Sequence, residues 1–302
     1  MTKAGIIALI GAPNVGKSTL LNRIVGSKLA IVTPKAQTTR ARMTGIAMRG
    51  DAQLAFIDTP GIFAPRRRLE RAMVAAAWAG INGADRVVLL VDAARAAPAS
   101  GYIDPETAEI VAALRARRRS AILVLNKIDR VARPKLLAVA EAHDKAGVFD
   151  RVFMISALDG DGVEDLVSHL AEGLPEGPWL YPSDQLSDVP LRLLAAEITR
   201  EQAFLQLHQE LPYALTVATE RWEERPDGSA RIDQTVYVAR DSQKGIVLGK
   251  DGSRIKAIGE AARAALQALL ERRVHLFLHV KVKADWMERV EHYREIGLDY
   301  DA

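Results

Sequence analysis

Cysteine is absent from all 302 residues. Disulfides, thiolate metal sites and cysteine nucleophiles are thereby excluded, and a reducing compartment such as the cytosol is the natural fit. No apolar run approaches the roughly 20 residues needed to cross a bilayer. The opening MTKAGIIALIGA carries one lysine and a short apolar run, but it leads directly into a glycine loop that signal cleavage would cut away. Internal repeats and low-complexity tracts are missing as well. What is present is 49% hydrophobic and 26% charged residues, the composition of a globular protein with ample core. The length sets a prior of about two domains.

A surplus of charge is also missing overall, since the net value is only +3. Locally the balance differs. Between Arg240 and Lys283 ten Lys/Arg meet four acids, whereas residues 191–302 hold 17 basic and 18 acidic residues. Positive charge is therefore concentrated around the glycine-containing stretch GIVLGKDGSRIKAIG. The run RARRRS at 115–120 reads as a solvated face.

Residues 6–10, 54–58, 86–92, 121–126 and 152–156 are short apolar, β-branched runs. They are expected as buried strands with helices between most of them, which predicts an α/β domain with a mainly parallel sheet. TGIAMRGDAQLAFID (44–58) is expected as a hairpin turning at Gly50-Asp51, giving one antiparallel edge strand. The alternation ends near Leu174. PEGPWLYPSDQLSDVP (175–190) has four prolines and reads as a linker. A second, smaller α+β domain over 191–285 should contain a helix (191–209), strands near 213–222 and 232–239, the glycine loop, a helix (253–270) and a strand (274–283). A C-terminal helix and tail are expected over 286–302.

GAPNVGKS (11–18) fits G-x-x-x-x-G-K-[ST] between a strand and a helix. Its candidate nucleotide contacts are Gly11, Ala12, Pro13, Asn14, Val15, Gly16, Lys17, Ser18 and the adjoining Thr19. Such a loop turns its amides toward phosphates, Lys17 reaches the β and γ phosphates, and Ser18 offers a hydroxyl to Mg²⁺. Asp58, Thr59, Pro60 and Gly61 (DTPG) end a strand; Asp58 can hold Mg²⁺ through water, and the Gly61 amide lies where a γ-phosphate can capture it. In NKID (126–129) the Asp129 carboxylate offers two acceptors suited to the N1–H and N2–H₂ of guanine. Adenine has neither donor there and is rejected by unpaired polar groups. Ser156, Ala157 and Leu158 cap the following strand, where a small residue lets a backbone amide approach the base.

In this order the motifs resemble the translation-factor-like GTPases. The resemblance implies GTP and GDP as ligands and places Asn126 and Lys127 in the nucleotide loop, with Ala157 at the guanine oxygen. It makes QTTRA (37–41) the first switch, with Thr39 the Mg²⁺ ligand of the GTP state and Thr38 the alternative. Lys17, Thr39 and Gly61 then become the candidates for assisting phosphoryl transfer. Ile62 stands where Ras-like proteins carry a water-orienting glutamine, so slow intrinsic hydrolysis is expected; the residue can also serve simply as packing. Asn14 is either a helper for a K⁺ ion, as in potassium-stimulated GTPases, or a plain turn former.

The second loop, Gly249-Lys250-Asp251-Gly252, has the G-x-x-G form with which KH domains clamp about four single-stranded nucleotides, and it precedes an amphipathic helix. Lys250, Arg254 and Lys256 add charge, while Asp251 is expected to point away from phosphate. The order of elements resembles the second, bacterial type of KH fold. One GTPase domain, a proline-rich linker and a KH domain together resemble the Era family of bacterial GTPases of small ribosomal subunit assembly, over nearly the whole chain. That resemblance implies a monomer binding near the 3′ end of 16S rRNA on the 30S subunit, RNA-stimulated GTP hydrolysis, and cytoplasmic residence with peripheral inner-membrane association. Two other readings are a switch acting on a protein or membrane effector, with the KH domain as docking module, and a purely structural rRNA-binding protein.

Overall fold

The computed structural model describes residues 1–35, 38–40, 43–96 and 102–302. They form two compact units, Met1–Ala30 with Thr39–Asp188 and Asp301–Ala302, and Ile31–Thr38 with Val189–Tyr300.

In the first unit six strands form one sheet: β1 (Lys3–Ile10), β2 (Met43–Arg49), β3 (Ala52–Asp58), β4 (Arg86–Asp92), β5 (Ala121–Asn126) and β6 (Phe149–Ile155). Their order is β2-β3-β1-β4-β5-β6, with only β2 antiparallel to its neighbour. The apolar runs are continuous rather than alternating because both faces are covered; β3, for example, is buried at every residue. The covering helices are α1 (Lys17–Val25), α2 (Arg68–Asn82), the single turn α3 (Ala93–Ala96), α4 (Pro105–Ala116), α5 (Arg133–Asp144) and α6 (Val163–Glu172). Ile81, Leu89, Ile110 and Leu123 lie in one core cluster and are fully buried. On either side of β1 the connections leave in opposite senses, so a crevice opens at the C-terminal strand ends. Gly11, Asp58, Asp92, Asn126 and Ser156 all sit at those ends.

Residues 175–188, read as a linker, lie along this sheet. The side chain of Gln53, buried in β3, accepts the amides of Leu180 and Tyr181 at 2.8 and 2.9 Å and donates to the Tyr181 carbonyl at 2.8 Å. Short bridges pair Lys3 with Glu176 and Gly45 with Ser187.

The second unit contains α7 (Leu191–Gln206), β7 (Leu215–Glu224), β8 (Ala230–Val238), α8 (Asp241–Leu248), α9 (Ser253–Leu270), β9 (Val274–Val282) and α10 (Val290–Glu295). Its sheet runs β7-β8-β9, antiparallel then parallel. Phe204 of α7, Val236 of β8 and Ile258 of α9 are fully buried, and the last two share a core cluster. Two elements depart from the sequence expectation. Helix α8 precedes the G-x-x-G loop, where DSQKGIVL with its internal glycine gave little helical signal. The expected terminal helix is broken into a 3₁₀ turn at Trp286–Glu288 and α10, with Arg289 extended between them.

Candidate functional site

The first glycine loop wraps the start of α1. Lys17 is buried and its ammonium donates to the carbonyls of Gly11 and Ala12, both at 3.0 Å. Burial lowers the Lys17 pKa to about 8, the charge of Asp58 opposing that shift. Ser18 donates to Asp58 Oδ2 at 2.6 Å, and its oxygen lies 3.0 Å from the Thr39 hydroxyl. Burial raises Asp58 to about 6, against the pull of Lys17, Ser18 and Thr39. Asp58 Oδ1 is buried without a hydrogen-bond partner among the described residues. A lone buried carboxylate oxygen beside two hydroxyls is an oxygen donor set that fits Mg²⁺, a hard cation content with one carboxylate, waters and phosphate oxygens.

The two threonines differ. Thr38 turns its hydroxyl to Thr33 Oγ1 and the Lys35 carbonyl, each at 2.7 Å, whereas Thr39 joins Ser18 and Asp58. Gln37 and Ala41 of the expected first switch lie outside the described residues. Thr59 does not face the crevice; its hydroxyl donates to the Leu9 carbonyl at 2.8 Å, tying β3 to β1. Pro60 and Gly61 are buried, and Gly61 lies so close to Pro13 that an added Cβ would stand 2.9–3.0 Å from its atoms. Ile62 is buried in the core cluster under the sheet, so its side chain is used for packing.

The base-side residues are joined by one strut. Asn126, 2% exposed, donates to the Val15 carbonyl at 2.8 Å and accepts the Ala157 amide at 2.9 Å. It thereby holds the phosphate loop to the loop after β6. Room for its amide comes from Gly16, where a Cβ would stand 2.2 Å from Asn126 Nδ2, at φ +103. Lys127 donates to the Asn14 carbonyl at 2.7 Å and pairs with Asp92 at 2.6 Å. Asp129 accepts from Ser156 Oγ at 2.8 Å, which aims the carboxylate. Leu158 is exposed; its carbonyl and that of Ala157 accept from Arg23 at the end of α1. Asn14 has a left-handed φ of 65, the conformation of a turn former. Of the remaining expected contacts, Ala12 and Val15 are buried, and Pro13 and Thr19 are half-buried.

Sequence reasoning missed Asp92 and Arg23. Asp92 pairs in register with Asn126 across β4 and β5, and this alignment requires the strand order. Only its position at the end of an apolar run was a signal.

In the second unit the G-x-x-G loop is a single 3₁₀ turn between α8 and α9. Gly249 and Gly252 have φ of 72 and 74, and Asp251 has φ 51. A Cβ on Gly252 would meet no protein atom within 4 Å, so the surface beside it is open to an incoming backbone. Lys250, Asp251, Arg254 and Lys256 are exposed. Arg254 also donates to the Ile246 carbonyl at 2.9 Å, bracing α8 against α9.

Two family models match separate stretches of the chain. Residues 6–127 match the family model described as 50S ribosome-binding GTPase, and residues 210–287 match the KH domain model. GTPase Era of Rhizobium meliloti is 56% identical over 299 residues, covering 99% of this chain and 94% of the relative. The chain belongs to the Era family of GTPases. Era of Brucella suis is 54% identical over the same length and coverage. Two solved Era structures superpose with TM-scores of 0.90 at 38% identity, covering 98% of this chain and 99% of theirs. One is an Aquifex aeolicus Era variant bound to GDP.AlF4-. The other is Era in complex with MgGDPNP and nucleotides 1506–1542 of 16S ribosomal RNA.

Proposed function

We propose that this GTPase is a switch that binds GTP and GDP with Mg²⁺ in the crevice of its first unit. Through its second unit it binds 16S rRNA near the 3′ end, in rRNA maturation and assembly of the 30S subunit. The observation that carries the nucleotide site is the orphaned Asp58 Oδ1 beside the Ser18 and Thr39 hydroxyls. Ser18, Thr39 and Asp58 would hold the Mg²⁺, with Thr39 favoured over Thr38 because its hydroxyl is in that cluster. When bound, Mg²⁺ supplies positive charge where the phosphates accumulate negative charge.

The chain's own residues do the rest. Lys17 presents a buried ammonium to the phosphate loop, and the close approach of Gly61 to Pro13 brings the DTPG turn beside that loop. Asp129, oriented by Ser156, selects guanine, while Asn126 and Lys127 fix the loops around it. Buried Ile62 offers no hydrogen bond to water, so the protein alone should turn over slowly. The G-x-x-G turn with its exposed lysines suits single-stranded RNA, and the solved Era–RNA complex supports that ligand.

The proposal extends to a monomeric protein of the cytoplasm with peripheral inner-membrane association. Among the described residues no helix is long and apolar enough to cross a membrane. GTP hydrolysis measured with and without an RNA spanning the 3′ end of 16S rRNA tests the central claim. Stimulation by that RNA and none by a scrambled one is expected; equal rates with both would favour a protein or membrane effector. Exchanging K⁺ for Na⁺ in the same assay tests Asn14 as a K⁺ contact.

A further inference from the structure

Arg23 sits in the last turn of α1, on the surface of the first unit, yet its guanidinium is not left to solvent. Its Nε donates to the Ala157 carbonyl at 3.3 Å and its Nη2 to the Leu158 carbonyl. Both acceptors lie in the turn after β6, which the Gly160 amide closes onto the Ser156 carbonyl at 2.7 Å. The guanidinium lies over this turn, since a Cβ on Gly160 would stand 3.6 Å from its Nη1. A cation at the end of a helix ordinarily serves that helix's own free carbonyls. This one serves a loop more than a hundred residues further along the chain.

What the grip does follows from peptide geometry. In a trans peptide the carbonyl and the next amide point in opposite directions within one rigid plane. The Ala157 carbonyl and the Leu158 amide share such a plane, so holding the carbonyl on Arg23 aims the Leu158 N–H away from α1. The second bond, to the Leu158 carbonyl, stops the two planes from rocking. It takes a fork to do this: arginine presents Nε and Nη2 to two acceptors at once, whereas a lysine is a point charge. The neighbouring Ala157 amide is taken by Asn126 at 2.9 Å. Among the described residues the Leu158 amide has no hydrogen-bond partner. It is the donor that this turn has left for a base, and guanine presents an acceptor at its 6-oxygen.

We propose that Arg23 is a specificity-determining positioning residue: by holding the Ala157 and Leu158 carbonyls it aims the Leu158 amide at the 6-oxygen of guanine. Asp129 stands on a different loop, after β5, and reads the N1 and N2 donors, so the two contributions separate chemically. This rests on the reading of Ser156, Ala157 and Leu158 as the base-contacting loop.

The test measures the affinity of the full-length protein, with Mg²⁺, for GDP and two base analogues. 6-Thioguanosine diphosphate replaces the 6-oxygen by a sulfur that accepts hydrogen bonds weakly, and keeps both donors that Asp129 reads. Inosine diphosphate keeps the oxygen and lacks the 2-amine. The wild-type protein should prefer GDP over the thio analogue by about 3–10-fold, the net worth of one hydrogen bond. Arg23→Met should weaken GDP by about the same factor and leave the thio analogue unchanged, so that preference collapses. Its preference for GDP over inosine diphosphate should stay at the wild-type value. Arg23→Lys, able to hold one carbonyl at a time, should fall between the two. A wild-type preference over the thio analogue in Arg23→Met overturns the proposal. So does a parallel fall in both preferences, which would make Arg23 a general brace of the pocket. If the wild-type protein binds GDP and the thio analogue alike, the assignment of this loop to the base has itself failed, and that failure is visible before any variant is made.

Discussion

Replacing Asn126 by Ala tests whether the nucleotide crevice is held together by its strut. The substitution strands two buried backbone groups, the Val15 carbonyl and the Ala157 amide, both on residues 2% exposed. Each unsatisfied group costs about 1–3 kcal/mol. A water entering the vacated space can bridge both, so the lower part of the summed range applies, about 2–3 kcal/mol. The two loops sit at strand ends and can loosen without unfolding the sheet. Nucleotide binding must then reorder them, and GDP should bind about 30–150-fold more weakly. Gly16→Ala should reproduce this loss from the other side, because its Cβ would stand 2.2 Å from the Asn126 amide. The two losses should not add, since either change alone displaces the strut. Titration with fluorescent GDP in saturating Mg²⁺, alongside a urea denaturation midpoint, gives both quantities. Asn126→Ala with wild-type GDP affinity and midpoint would refute the reasoning.

Three further outcomes are expected. Asp129→Asn places a donor opposite guanine's donors, at a cost of about 1–3 kcal/mol; GTP affinity should fall and xanthosine triphosphate affinity rise, and unchanged GTP binding would remove Asp129 from the base site. Gly252→Asp puts a side chain and a negative charge into the open face of the loop at a left-handed φ of 74, so RNA binding should collapse while GTP binding persists. Normal gel-shift affinity in that variant would reduce the loop to a turn. His143 is fully buried with Nδ1 donating to Val139 and Nε2 unpartnered among the described residues, and burial lowers its pKa. The unfolded chain therefore takes up the proton first. Stability is full above about 6.5 and is lost as pH falls from there toward the lowered folded value. Denaturation midpoints should drop between about pH 7 and 5, and His143→Phe should flatten that slope; parallel profiles would assign the acid sensitivity elsewhere.

Much of the first unit was legible because its chemistry is local. A phosphate loop needs its glycines and lysine within eight residues, and Asp58, Asn126 and Ser156 each directly follow or end an apolar run that could only be a buried strand. Asp92 escaped notice because its partner Lys127 is 35 residues away and meets it only once β4 and β5 are in register. Helix α8 was hidden by Gly245, whose low propensity is overridden by Val247 packing into the core. The hydrogen bond from Arg200 to the Thr38 carbonyl was beyond reach altogether, since the two residues are separated by 162 positions and Arg200 belongs to no motif.

The run of chain from Glu176 to Ser187 has a consequence for how the sheet meets other molecules. Strand β2 is the outermost strand on its side, and such a border normally advertises unpaired amides to any passing extended peptide. Here the Ile46 amide is already taken by the Leu186 carbonyl at 2.8 Å, and Ser187 Oγ donates to the Thr44 carbonyl at 2.7 Å. The supposed spacer is thus a guard rail against β-aggregation. A fragment cut after Leu174 would lose it and leave the buried Gln53 amide bare, whereas one cut after Asp188 would keep it. The longer fragment should stay dispersed at concentrations where the shorter one precipitates.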